Sequence, residues 1–228
     1  MVLRATETAR GRKLEKLEER KERRRQRKLQ SDKEEKVRAA YTSLIEAEKE
    51  GKMIPVGTLA GQSFQLCSSD HVDYFYSDIY PKKYVHFYHF DDEGRPLLYG
   101  QKPSEDDMLY GDVDLHNNVR CSFGPFRPPE HASREPFKLM SDDGVHELSF
   151  TFMGNGYLEL SVSREMLLVH RYSARPLVSP AGAPDVFKFA GVLPDKEKEI
   201  ADWLKRIEQE TGSRKGHVAS RLPPQDLV

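Results

Sequence analysis

The chain has 228 residues, 37% of them hydrophobic, with a mean hydropathy of −0.71. That is room for one domain of roughly 140–160 residues beside polar extensions. No run approaches the roughly 18–20 apolar residues of a membrane span, and the charged N-terminus has no apolar h-region, which argues against membrane insertion and secretion and for an intracellular protein of nucleus or cytoplasm. Residues 1–50 hold sixteen Lys+Arg and eleven Asp+Glu while the remainder holds 20 and 26, so a +5 arm precedes a −6 body.

Residues 1–51 read as a charged helical arm. Between Thr8 and Glu50 there is no Pro, and Gly11 is the only Gly; the Glu, Lys, Arg, Gln, Leu and Ala that dominate lose little rotamer freedom in a helix. Glu19 with Arg23, Asp32 with Lys36 and Glu34 with Arg38 stand four apart in the acid-then-base order that supports a helix. Val37, Tyr41, Leu44 and Ile45 form an apolar stripe able to dock on a core or a partner, so only the second half of the helix is expected to pack.

From Arg10 to Lys28 the arm carries eleven bases and four acids. Lys21, Arg23, Arg24, Arg25, Arg27 and Lys28 are therefore the candidate contacts for nucleic-acid phosphates or an import receptor, because such density neutralises phosphates without reading base sequence. A plain solvated helix competes with this reading. The run superficially resembles the basic region of a bZIP factor, but a heptad begun at Leu29 continues Lys36, Ser43, Glu50, so no zipper follows.

Past Gly51 the pattern becomes β-rich, and residues 55–211 read as one antiparallel domain, sandwich- or barrel-like, closed by an amphipathic helix at 195–211. Strands are expected at 63–67, at 84–90 with a turn at 91–94 and a return over 96–99, at 108–115, and at 119–123. Residues 127–136 read as a mobile, Pro-rich surface connection. The clearest hairpin joins 148–152 to 157–162 through Asn155-Gly156, whose residues suit positive φ, with Leu148, Phe150, Phe152, Leu158 and Leu160 facing inward. Residues 166–170 continue the sheet or start a short helix, and 186–190 form the last strand. Asp195 after Pro194 caps the closing helix, which should bury Trp203. Residues 213–228 are polar and are expected to be disordered.

Chemistry is thin. Cys67 and Cys121 lie outside any C-x-x-C pair and fit buried thiols better than a bridge. His86 and His89, with Asp91, Asp92 and His71 nearby, invite a metal reading, but three apart in a strand they point to opposite faces and cannot both ligate one ion without a bulge. Asp112 and Asp114 share a strand face but lack the ligand order of a calcium loop. With no nucleophile elbow or phosphate loop, no catalytic residue, metal or cofactor is assigned. Residues 61–67, 150–160 and 163–165 together resemble β-rich domains of uncharacterised fungal proteins; the resemblance covers under half the chain and implies a β domain, with no active site.

The chain thus reads as a non-enzymatic interaction module: a β domain that binds a protein partner, and a basic arm for nuclear localisation or non-specific nucleic-acid contact. Its rival is a small-ligand binder or enzyme with a cavity in the β domain lined by tyrosines and His86 or His89.

Overall fold

The computed structural model describes residues 2–75, 83–90, 95, 97, 108–116, 119–168 and 179–195. Two compact units divide at Leu193, and everything below concerns Met1–Leu193. The closing helix beyond Asp195, Trp203 and the tail at 213–228 lie outside the described residues.

A single helix, α1 (Val2–Lys49), spans 48 residues and so about 70 Å at 1.5 Å per residue. It ends where glycine permits a left-handed residue: Gly51 has φ 68°, and the Lys52 N–H donates to the Ala47 carbonyl at 2.8 Å, which satisfies a terminal carbonyl. Eight strands follow: β1 (Ser63–Cys67), β2 (Tyr84–Tyr88), β3 (Leu109–His116), β4 (Val119–Phe126), β5 (Phe137–Met140), β6 (Glu147–Gly154), β7 (Tyr157–Ser163) and β8 (Val186–Val192). Short helices α2 (Ser69–Tyr74) and α3 (Arg164–Leu168) interrupt them.

Every neighbouring pair is antiparallel, in the order β4-β3-β2-β1-β8-β7-β6-β5. The two ends of that order meet at a Phe123–Ser141 bridge, and the Asp142 N–H donates to the Ser122 carbonyl at 2.9 Å. The sheet therefore curls into a nearly closed eight-stranded barrel, which leaves one short seam between β4 and β5 instead of two long free edges.

Strict alternation fills the inside. Leu148, Phe150 and Phe152 of β6, Leu158 and Leu160 of β7, Phe187 and Phe189 of β8, and Phe87 of β2 are all buried in one core. The Phe87 ring contacts Phe64, Phe123, Phe126, Phe150 and Phe152 at centroid distances of 5.9–6.2 Å. The predicted hairpin turn forms with Asn155 at φ 51° and Gly156 at φ 77°.

Several local expectations change. β2 pairs with β1 and β3, its register running Tyr84 opposite Asp114 to Tyr88 opposite Tyr110; the expected return over 96–99 lies outside the described residues except for Leu97, whose N–H donates to the His89 carbonyl. Residues 127–136 are pinned, not mobile: Pro55 bridges His131, Val56 N–H donates to Glu130, Ala132 N–H to Ile54 and Ser133 N–H to Phe152. Of the two alternatives after β7, the short helix α3 is the one that forms.

Candidate functional site

The buried line of α1 is a heptad one residue away from the one begun at Leu29. Gln30, Val37 and Leu44 are buried at 8%, 3% and 1% exposure, whereas Leu29 is 46% exposed. That line faces the chain's own barrel. Val37 and Leu44 join Cys67, Met153 and Ala190 in a second apolar cluster outside the barrel wall. Upstream of Val37 the same side of the helix is polar. Gln30 Oε1 accepts from the Ser68 N–H at 3.1 Å, Lys33 donates to Gln65, and Glu34 accepts from the Ser69 N–H at 2.6 Å and hydroxyl at 2.8 Å. At the far end Glu48 pairs with Arg134.

α2 carries this polar interface further. Ser68 caps it by accepting from the His71 N–H, and the helix presents Asp73 to the arm. Arg27 Nε lies 2.9 Å from Asp73 Oδ2, and the Arg23 guanidinium donates to the Asp73 carbonyl. The six candidate arm residues are thereby divided. Arg23 and Arg27 engage the body, while Lys21, Arg24, Arg25 and Lys28 are exposed on the other side of the helix, spaced three, one and three residues apart. The expected Glu34–Arg38 pair is replaced, since Glu34 serves Ser69 and Arg38 pairs with Glu35.

A second feature lies on the barrel's outer wall. Tyr84, His86 and Tyr88 of β2 alternate with the inward Val85 and Phe87, and the register sets them beside Asp114, Asp112 and Tyr110 of β3. His86 stacks on Tyr88 at 5.6 Å, Tyr88 on Tyr110 at 6.5 Å, and Phe90 meets Tyr110 edge-on at 4.6 Å. Asp112 accepts from Arg120 at 2.7 Å, from the Ser122 hydroxyl at 2.6 Å and from the Tyr88 hydroxyl; Asp114 accepts from Tyr84.

Burial in this wall disfavours charge. It pushes the Tyr88 hydroxyl up to about 12, with Asp112 adding to the shift, and moves Asp114 and Asp142 upward as well. His86 is shifted downward by burial, against the pull of Asp112, and so favours the neutral imidazole. The alternation of 84–90 and the shared face of Asp112 and Asp114 are visible in the sequence. Which strand lies beside which is not, and pairing alone assembles the patch.

The tyrosine- and histidine-lined interior expected of a ligand cavity is not what these residues form. Tyr84, His86 and Tyr88 sit outside, and His89 Nδ1 lies 2.9 Å from the Met108 carbonyl. Inside, a Cβ added at Gly111 would sit 2.3 Å from Phe123 Cζ, and one at Gly191 would sit 2.4 Å from Leu158 Cδ1. Neighbouring side chains already occupy the space these glycines leave. A groove of about 340 Å³ does occur, but it lies outside the barrel between α1 and the β6–β7 turn, against Ala40, Ile54, Met153 and Tyr157.

Cys67 and Cys121 are buried thiols on opposite sides of the wall: Cys121 is in the barrel core and Cys67 is under α1. Burial raises the Cys67 pKa, which keeps that thiol protonated and unreactive. Among the described residues no three His, Cys, Asp or Glu side chains converge as a metal site, and no helix is long and apolar enough to cross a membrane. No family model matches the chain, and no curated protein or solved structure is detectably similar to it.

Proposed function

We propose that the chain is a non-enzymatic, intracellular interaction module in which the outer wall of the barrel binds another protein and the basic arm supplies nuclear localisation or electrostatic nucleic-acid contact. The observation that carries this reading is the filled barrel: with Phe87, Phe123 and Phe150 fully buried at its centre, recognition falls to the outside. The outer wall of β2–β4 has the composition of a binding patch, since stacked Tyr and His beside carboxylates offer apolar area, hydrogen-bonding tips and charge together.

The test uses the full chain as bait beside a Tyr110→Ala/Asp142→Lys variant, which changes the wall at the aromatic Tyr110 and the exposed Asp142. A stoichiometric protein partner held by the parent and lost by the variant is the expected result. An unchanged partner, or one lost only when the arm's charges are altered, overturns the assignment of the wall.

A further inference from the structure

The helical arm presents two kinds of base, and their separation is a matter of geometry. Arg23 and Arg27 are tied to Asp73 on the body side, two turns and one turn before the buried Gln30. Lys21, Arg24, Arg25 and Lys28 are exposed on the opposite side. Among the described residues Lys21, Arg24 and Lys28 make no ion pair, and Arg25 has only a loose one, 3.9 Å from Glu22 with both side chains exposed. Glu15, Glu18, Glu19 and Glu22 recur at helical spacing along the flank next to Arg25, and Asp32 follows Lys28 by one turn, so the outward face is basic only between Lys21 and Lys28.

We propose that Lys21, Arg24, Arg25 and Lys28 form a backbone-reading face for duplex nucleic acid, while Arg23 and Arg27 are positioning residues that hold the helix on the body. This rests on the reading of the arm as an electrostatic contact and names its partner. The four cations, from Lys21 to Lys28, span about 10 Å of helix axis, and a duplex carries one charge per about 1.7 Å of its own axis. A row of that length therefore meets several phosphates at once, with no side chain placed to read a base.

Two other occupants fit the geometry less well. A receptor that reads bases from an extended chain would have to unwind α1 and break the Arg23, Arg27 and Gln30 ties to the body. An anionic membrane surface needs a broad apolar face beside the bases; the exposed Leu14 and Leu17 lie one to two turns upstream on this side, with no apolar residue between Lys21 and Lys28, so anionic vesicles are the competing probe.

The experiment is fluorescence anisotropy of the full chain with short mixed-sequence duplexes across a salt series. Four phosphate contacts predict a weak, sequence-independent affinity that falls about tenfold for each doubling of salt. Lys21→Gln/Arg24→Gln/Arg25→Gln/Lys28→Gln should abolish that dependence with helicity by circular dichroism unchanged, whereas Arg23→Gln/Arg27→Gln should keep the slope. Equal flattening by both variants overturns the division of the face. Absence of duplex binding by the parent at low salt, or binding to anionic vesicles that the duplex does not displace, overturns the choice of partner. Protein capture by the quadruple Gln variant separates the two readings: a partner retained while duplex binding is lost leaves the barrel-wall assignment standing, and the reverse pattern removes that assignment alone.

Discussion

The barrel interior and the seat of α1 are made of opposite materials. Inside the barrel, the phenylalanines and leucines of the described residues meet one another in an apolar cluster. Under α1, the buried Val37 and Leu44, with Ala40 and Tyr41 packed beside them, are accompanied by Gln30, Lys33, Glu34, Arg23, Arg27 and Glu48, each with a polar partner on the body. Apolar burial is non-directional and strong in aggregate, whereas polar pairs are weaker and geometrically demanding. The barrel should therefore carry the stability, and the helix seat should carry the register that decides which bases face outward.

The largest expected effect tests the first half of that contrast. Phe150→Ala removes a ring at 0% exposure from the centre of the barrel and should cost about 3–5 kcal/mol in urea denaturation. A loss under about 1 kcal/mol would mean that the interior is looser than its contacts imply.

Next comes a charge beside the helix seat. Lys83 is 3% exposed, and burial lowers its pKa to about 8, partly offset by Cys67. Below about 8 the amine is charged in both folded and unfolded chains, so the cost of burying it is fully present. Between there and 10.5 the folded chain releases the proton first, the unfolded chain binds more protons, and stability rises with pH. Lys83→Met does not titrate, so its stability relative to the parent should fall by about 3 kcal/mol between neutral pH and pH 10.5, and a pH-independent difference would remove the charge argument.

Leu44→Ala should be the smallest of the three, about 2 kcal/mol, and local in character. Amide exchange should speed up along α1 while the barrel's own denaturation midpoint moves less than for Phe150→Ala. A matching collapse of both would show that helix and barrel are one cooperative unit, and would sharpen the contrast into a difference of chemistry alone. Removing residues 1–51 is a poor substitute for these point changes, because it uncovers Cys67, Met153 and Ala190.

Strand positions and their inward faces were readable wherever alternation was clean, as in 148–152 and 157–162, because a period of two leaves one reading of a half-buried strand. β5 and α2 went unread: four and six residues are too few for a periodic signal, and each is held by tertiary partners. The helix seat shows the same limit. Its apolar half, Val37 to Leu44, was visible, but its polar half was hidden because hydropathy cannot distinguish a docked glutamine from a solvated one.

By itself, then, the sequence determined a long helix, a β domain with named inward residues, and the concentration of positive charge up to Lys28. These are local properties, set by propensity and by the repeat of apolar side chains. The tertiary structure decided that eight strands wrap into a barrel rather than stack as a sandwich, that the barrel is full, and that Tyr84, His86, Tyr88, Tyr110, Asp112 and Asp114 share its outer wall. It also decided which of the arm's bases turn inward, since the contacts of α1 with the body, Asp73 against Arg23 and Arg27 together with those of Gln30, Glu34, Val37 and Leu44, fix the rotation of the helix and no local pattern encodes them.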